Sequence, residues 1–385
     1  MRVLSGLSVL SLLAGVYASS LDLKIPSSNA TVDVRVFNVA NGSIVNSANT
    51  LFAPILPGRE TANVPLYSFL IEHSQKRLMF DLGTRTDPQN FAPSVASLFT
   101  SGIIQLEQQE SFKDIAELLQ DGGNSPYQHR RRHLEFFVSL KVPWLKLSQG
   151  DMSKFSNSTE LIIGSETDTR TYPTFPNATL QTSDLADRKV TKIDFTKANL
   201  TFSGLNAIDY FGDGSFYLVN TPGHLPGHLT ALARTTPTTF ILLGGDTFHH
   251  VGEARPRPLF QQNFPCPAHL LEESKSAIST DFFWSPLSRD GAFDMLSRSR
   301  QFLAISDQPD SFYADPVTAQ VSLEKLAKFD ADPDILVLVA HDLSLRSYLP
   351  YFPAYLNHWK ARGLKEANVW NFINTSNPAF IFSPT

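Results

Sequence analysis

Cysteine is almost missing from this chain of 385 residues: Cys266 stands alone, so no internal disulfide can form and stability must come from a buried core. Flanked by Pro265 and Pro267 with no base beside it, that thiol reads as structural rather than catalytic. Also missing is a Gly-x-Ser-x-Gly elbow, which argues against a serine hydrolase, and no Gly-rich phosphate cradle appears. Positive charge is in short supply. With 32 Lys and Arg against 37 Asp and Glu, the net charge of -5 argues against a nucleic-acid partner. The single basic run, His129-Arg-Arg-Arg-His133, reads as a solvated face. Past the N-terminus no apolar run could span a bilayer, so no stable membrane insertion is expected.

What is present describes a globular, exported protein. Hydrophobic residues make up 42% and charged ones 18%, a profile that excludes bulk disorder. Met1-Arg2, the apolar run Val3 to Val16 and the small residue Ala18 have the layout of a signal peptide, predicted over residues 1–18. Six Asn-x-Ser/Thr sequons, at Asn29, Asn41, Asn157, Asn177, Asn199 and Asn374, fit a secreted glycoprotein. Residues 19–385 are expected to form one α/β domain, with a loop-rich insertion around 251–309.

Strand-like alternation is expected from Ala30 to Val39. Leu66–Glu72 and Arg77–Phe80 are expected to pair as a hairpin, and Ser215–Asn220, Thr239–Leu243 and Ile335–Ala340 read as buried strands. Helical spacing is expected over Ser94–Gln105, Phe112–Gln120, Leu323–Phe329 and Leu356–Leu364.

Three of these strands run into residues that bind metals. His224 follows the turn Thr221-Pro-Gly, Asp246 follows Gly244-Gly245, and His341 follows Ala340. Each alone has an ordinary explanation: a surface histidine, a capping aspartate, a satisfied core histidine. Together they give nitrogen and oxygen donors suited to Zn²⁺ or a similar divalent ion. In a two-metal centre the aspartate would bridge the ions, and bound water would attack a polarised carbonyl.

Asp81-Leu-Gly83, Thr221-Pro-Gly-His224-Leu-Pro-Gly-His228, Gly245-Asp246 and Ala340-His341-Asp342 occur in this order, which resembles the metallo-β-lactamase superfamily. The step from His224 to Asp246 and the Gly-Asp-Thr-Phe-His-His segment resemble its lactonase-like, fungal branch. The resemblance covers roughly residues 32 to 375. It implies an αββα four-layer sandwich that hydrolyses a lactone, lactam, ester or thioester. By the same resemblance, His224 would bind one metal, His341 the other, and Asp246 both. His249 or His250 would contact the substrate or protonate the leaving group, and His228 would support the ligands from behind.

One part of the pattern is interrupted. The family places a His-x-His-x-Asp-His cluster just before Gly-Asp, which here is Gly150-Asp151. Counting back, its four ligand positions fall on Pro143, Leu145, Leu147 and Ser148, none of which serves. Codons exist for His129–Glu135 that, read one base later, give Ile-Asp-Ala-Val-Ile-Trp, an apolar strand of the kind that leads into such a cluster. Residues 124–149 therefore read as the product of a frameshift or mis-spliced exon. The competing reading is a folded pseudoenzyme or binding scaffold.

Overall fold

Along each central strand, successive side chains are divided between two cores, and this alternation organises the molecule. Phe216 and Leu218 enter one apolar cluster while Tyr217 and Val219 enter another. Ile241 and Leu243 part from Phe240 and Leu242 in the same way, as do Leu336 and Leu338 from Ile335 and Val337. The computed structural model describes residues 23–107, 112–122, 134–137, 150–279, 282 and 300–385. Among them are two large sheets.

The first sheet holds β1 (Asp33–Ile44), β2 (Ala62–Glu72), β3 (Arg77–Phe80), β4 (Ile104–Leu106), β5 (Leu134–Phe137), β6 (Glu160–Gly164) and β7 (Val190–Ile193). Their spatial order is β7-β6-β5-β3-β2-β1-β4. The expected hairpin is β2 and β3, antiparallel with Glu72 opposite Arg77, and β5 runs parallel to both β3 and β6. The second sheet holds β8 (Leu200–Phe202), β9 (Leu205–Asp209), β10 (Phe216–Asn220), β11 (Leu229–Arg234), β12 (Phe240–Leu243) and β13 (Ile335–Leu338). These lie side by side in chain order, antiparallel except for the last pair, where β13 runs parallel to β12.

Between the sheets, Val34, Val36, Phe69 and Phe80 pack against Leu218, Ala231, Ile241 and Leu338. On the outer face of the first sheet, Ile115 and Leu119 cover Leu70, Met79 and Leu161. Both belong to the helix Ile115–Asp121, started by an Asp114–Glu117 capping box. On the outer face of the second sheet, Leu323, Leu326 and Phe329 of the helix Pro316–Ala331 cover Val219, Leu232 and Val337. The layers are therefore helix, sheet, sheet, helix, the expected αββα sandwich.

Several elements differ from the sequence reading. The helix expected over Ser94–Gln105 stops at Thr100, because Gly102 turns with φ 78 and Ile104–Leu106 leaves to join the sheet edge beside β1. The helix expected over Leu356–Leu364 is a series of turns. Gly363, at φ 62, breaks the backbone, and a helix begins only at Leu364. The described part of the 251–309 segment holds two α-helices, Pro258–Asn263 and Ala268–Ala277, and is tied back by Ala304–Ile305 pairing with Phe52–Ala53. Cys266 is buried there, its thiol pushed up to about 12 by burial, which keeps it protonated. Residues 1–18 and the basic run His129–His133 lie outside the described residues. Of the sequons, Asn29, Asn157, Asn177 and Asn199 are exposed, whereas Asn41 is buried in β1. Among the described residues no helix is long and apolar enough to cross a membrane.

Candidate metal centre

The second sheet ends in three tight turns, and each sets one side chain at the same edge. After β10, Thr221-Pro-Gly223 reverses the chain. Gly223 has φ 124, and a Cβ there would lie 2.0 Å from the backbone nitrogen of Ala319. Only glycine lets the helix Pro316–Ala331 start against this turn. The turn is held by Asp315 N–H on the Gly223 carbonyl and Ala314 N–H on the His224 carbonyl, at 2.9 and 2.8 Å. After β12, Gly245 takes φ 54, and its carbonyl accepts from Ala340 N–H at 2.8 Å, which ties the Asp246 turn to the His341 turn.

These turns bring Asp246 between two imidazoles. One carboxylate oxygen lies 3.3 Å from His224 Nε2 and the other 3.3 Å from His341 Nε2. All three side chains are buried, Asp246 completely. A buried carboxylate is costly unless positive charge or donors compensate, and here each oxygen faces a ring that can carry a proton or ligate a cation. His249 completes the group: single ligand atoms of His224, Asp246 and His249 all lie within 4.8 Å of one another. Imidazole nitrogens and one carboxylate converging at this spacing are a donor set for Zn²⁺.

The surrounding groups orient these ligands. His341 donates from Nδ1 to the Pro65 carbonyl at 2.8 Å, which leaves Nε2 for Asp246 or a metal. His228 accepts from the Asp246 N–H at Nε2, 3.1 Å away, and its Nδ1 meets Thr221 at 3.0 Å. It stands behind the aspartate, on the far side of its backbone.

His249 and His250, undecided between themselves in the sequence, separate clearly. His249 Nδ1 lies 2.7 Å from the Tyr313 hydroxyl, which in turn reaches Glu253 at 3.3 Å. A hydroxyl that donates to Glu253 accepts from His249 Nδ1–H, and Nε2 then keeps its lone pair. Burial pushes the Glu253 carboxyl up to about 8 and the Tyr313 hydroxyl well above its ordinary value. His250 is placed differently: its Nε2 meets the Ala379 carbonyl and its Nδ1 accepts from Gly252 N–H, at 2.8 and 2.9 Å, so both ring nitrogens are engaged by the backbone. Buried among aromatic rings, it is held neutral, with its pKa lowered to about 4 by burial.

Tyr313 and Glu253 were missed from the sequence. Glu253 had a weak signal, lying three residues after His250 in a capping-box spacing, and its carboxylate accepts from the His249 and His250 N–H groups, each at 2.8 Å. Tyr313 had none. On the first sheet, buried Asp81 takes φ 62 just after β3, and Leu82 seats against Gly150, where a Cβ would lie 2.3 Å from the Leu82 Cβ. The Asp81 motif and the resumption point at Gly150 therefore touch. Pro143, Leu145, Leu147 and Ser148 lie outside the described residues.

A four-layer αββα sandwich with a buried His/Asp/His/His group at one sheet edge defines a metallo-hydrolase architecture. No family profile matches the chain. It is 32% identical to the metallo-hydrolase mfmC of Annulohypoxylon moriforme, over 93% of this chain and 90% of that protein. It is also 32% identical to the gamma-lactamase FDB1 of Fusarium pseudograminearum, over 92% of this chain and 84% of that one. Against the cytochrome P450 monooxygenase mpaDE' of Penicillium brevicompactum it aligns at 31% identity over 91% of its length, but spans only 38% of that protein. Among solved structures, an N-acyl homoserine lactone hydrolase with N-hexanoyl-L-homoserine at its catalytic metal centre superposes with a TM-score of 0.51 at 16% identity, covering 85% of this chain and 99% of the other. That likeness is one of fold. The chain belongs to the metallo-β-lactamase superfamily, with these fungal metallo-hydrolases.

Proposed function

We propose that this protein belongs to a secreted line of zinc-dependent hydrolases that open a small lactone, lactam or ester, and that its own activity is impaired by residues 124–149. The observation that carries the reading is the Asp246 carboxylate held 3.3 Å from both His224 and His341. Zinc bound there would supply an activated water and polarise the scissile carbonyl. His224, Asp246 and His341 would hold it, with His228 and the Pro65 carbonyl fixing their orientation. His249, tethered through Tyr313 to Glu253 and within 4.8 Å of the His224 and Asp246 ligand atoms, would support the metal and meet the leaving group. The other ligand half is expected at positions that read Pro143, Leu145, Leu147 and Ser148, and this supports the impairment.

The test is to sequence the transcript across this region and to express both this chain and any corrected form in a eukaryotic secretory host. This chain is expected to carry at most one zinc and to turn over γ-lactones and γ-lactams weakly. The corrected form is expected to carry two and be active, and both to start near Ser19 and lose mass on deglycosylation. An intact reading frame encoding this chain, together with two equivalents of zinc and full turnover, would sink the impairment. Absence of zinc and turnover from both forms would favour a pseudoenzyme.

A further inference from the structure

Beside the metal centre lies a cavity of about 240 Å³ whose lining includes His249, His250, His341 and Arg59. The volume is at the small end for ligand pockets, suited to one ring with a short arm. Arg59 sits in the connection between β1 and β2, and its Nε donates to the Ser383 carbonyl at 2.8 Å. That bond anchors the guanidinium to the C-terminal segment, which also lines the cavity at Ala379 and Ile381. Among the described residues no carboxylate pairs with Arg59. The acidic side chain in the same lining, Asp342, is buried and turned to Ser344, whose N–H it accepts at 2.9 Å.

A guanidinium held by one nitrogen, with its terminal amino groups left over, presents the fork that binds a carboxylate with two parallel hydrogen bonds. We propose that Arg59 is a specificity-determining residue that anchors a free carboxylate on the substrate. The site would then take lactones, lactams or esters that carry an acid group one short arm away from the scissile carbonyl. This rests on the hydrolase reading above, because the cavity shares His249 and His341 with the candidate metal centre.

The test uses the full chain, in its corrected form where the transcript supplies one, and paired substrates: a γ-lactone bearing a carboxylate and its methyl ester. In Arg59→Met the ratio of kcat/KM for acid over ester should fall roughly 10- to 100-fold, chiefly through KM, with Arg59→Lys in between. A ratio that stays constant while both rates fall would show a merely structural role and overturn the proposal. A second arm needs no turnover. Calorimetric titration with glutarate should show binding to the wild type that weakens by a similar factor in Arg59→Met, whereas dimethyl glutarate should not discriminate. If neither substrate is hydrolysed but glutarate binding depends on Arg59, the hydrolase reading fails and the anion site stands. Equal glutarate affinity in both proteins overturns the site itself.

Discussion

Two adjacent histidines show how finely the site is sorted at the residue scale. His250 has an extended backbone, φ -139 and ψ 133, and neighbouring side chains on extended backbone point to opposite sides. His249 therefore enters the ligand group while His250 turns into the aromatic core against Phe52 and Phe382. Their substitutions should fail differently. His250→Leu strands the Ala379 carbonyl and the Gly252 N–H, each worth about 1–3 kcal/mol when buried without a partner, so the melting temperature should drop with zinc affinity retained. His249→Leu should instead weaken zinc binding at least about tenfold at a smaller stability cost. Thermal unfolding and a competitive chelator titration read the two effects separately. If both variants lost zinc equally, the sorting argued from Tyr313 and Glu253 would be wrong.

At the scale of elements, the second sheet was the legible part. The runs that became β10, β12 and β13 are continuously apolar because both faces are buried, and each stops at a turn rich in glycine or at a histidine. Gly223 is where the sequence constrains this geometry most tightly. Gly223→Ala would combine a φ of 124 with a Cβ 2.0 Å from the Ala319 nitrogen, and should cost about 2–4 kcal/mol while displacing His224. Gly212→Ala is the control: its φ is 75, but nothing lies within 4 Å of the added carbon, so only about 1 kcal/mol of backbone strain is expected. Denaturant unfolding of the two variants should differ accordingly, and equal losses would remove the packing argument. What the sequence hid were contacts between distant residues. Tyr313 reaches His249 across 64 positions, and no periodicity encodes such a pairing. The misplaced helix at Leu356–Leu364 had helical spacing, but the spacing carried no warning that Gly363 would turn left-handed.

Across the whole molecule the two halves of the sandwich draw on different parts of the chain. Among the described residues, the second sheet is built wholly from strands between Leu200 and Leu338, and the turns at its edge carry every ligand described above. The described part of the interrupted segment, Leu134–Phe137, is strand β5 of the first sheet, between β3 and β6, and Gly150-Asp151 follow residues 124–149 in the sequence. Asp151 lies 3.2 Å from Arg85, and Arg188 donates to the Met152 carbonyl at 2.9 Å; both arginines stand near buried Asp184. Asp184 therefore reports on this region. Burial pushes its carboxyl up to about 6, although the Gln181 N–H and the two arginines favour the ionised form. With a folded pKa above the unfolded one, the native state binds the proton more tightly. Its contribution is fully present below about pH 4 and lost as pH rises through about 6, a swing of about 3 kcal/mol. Asp184→Asn keeps the shape and the bond to Gln181 without the titration. The two proteins should melt at similar temperatures near pH 4, with the variant the more stable by pH 7. Differential scanning calorimetry across that range checks it, and a constant difference between the two proteins would mean that the region around Asp151 is not packed about a buried Asp184.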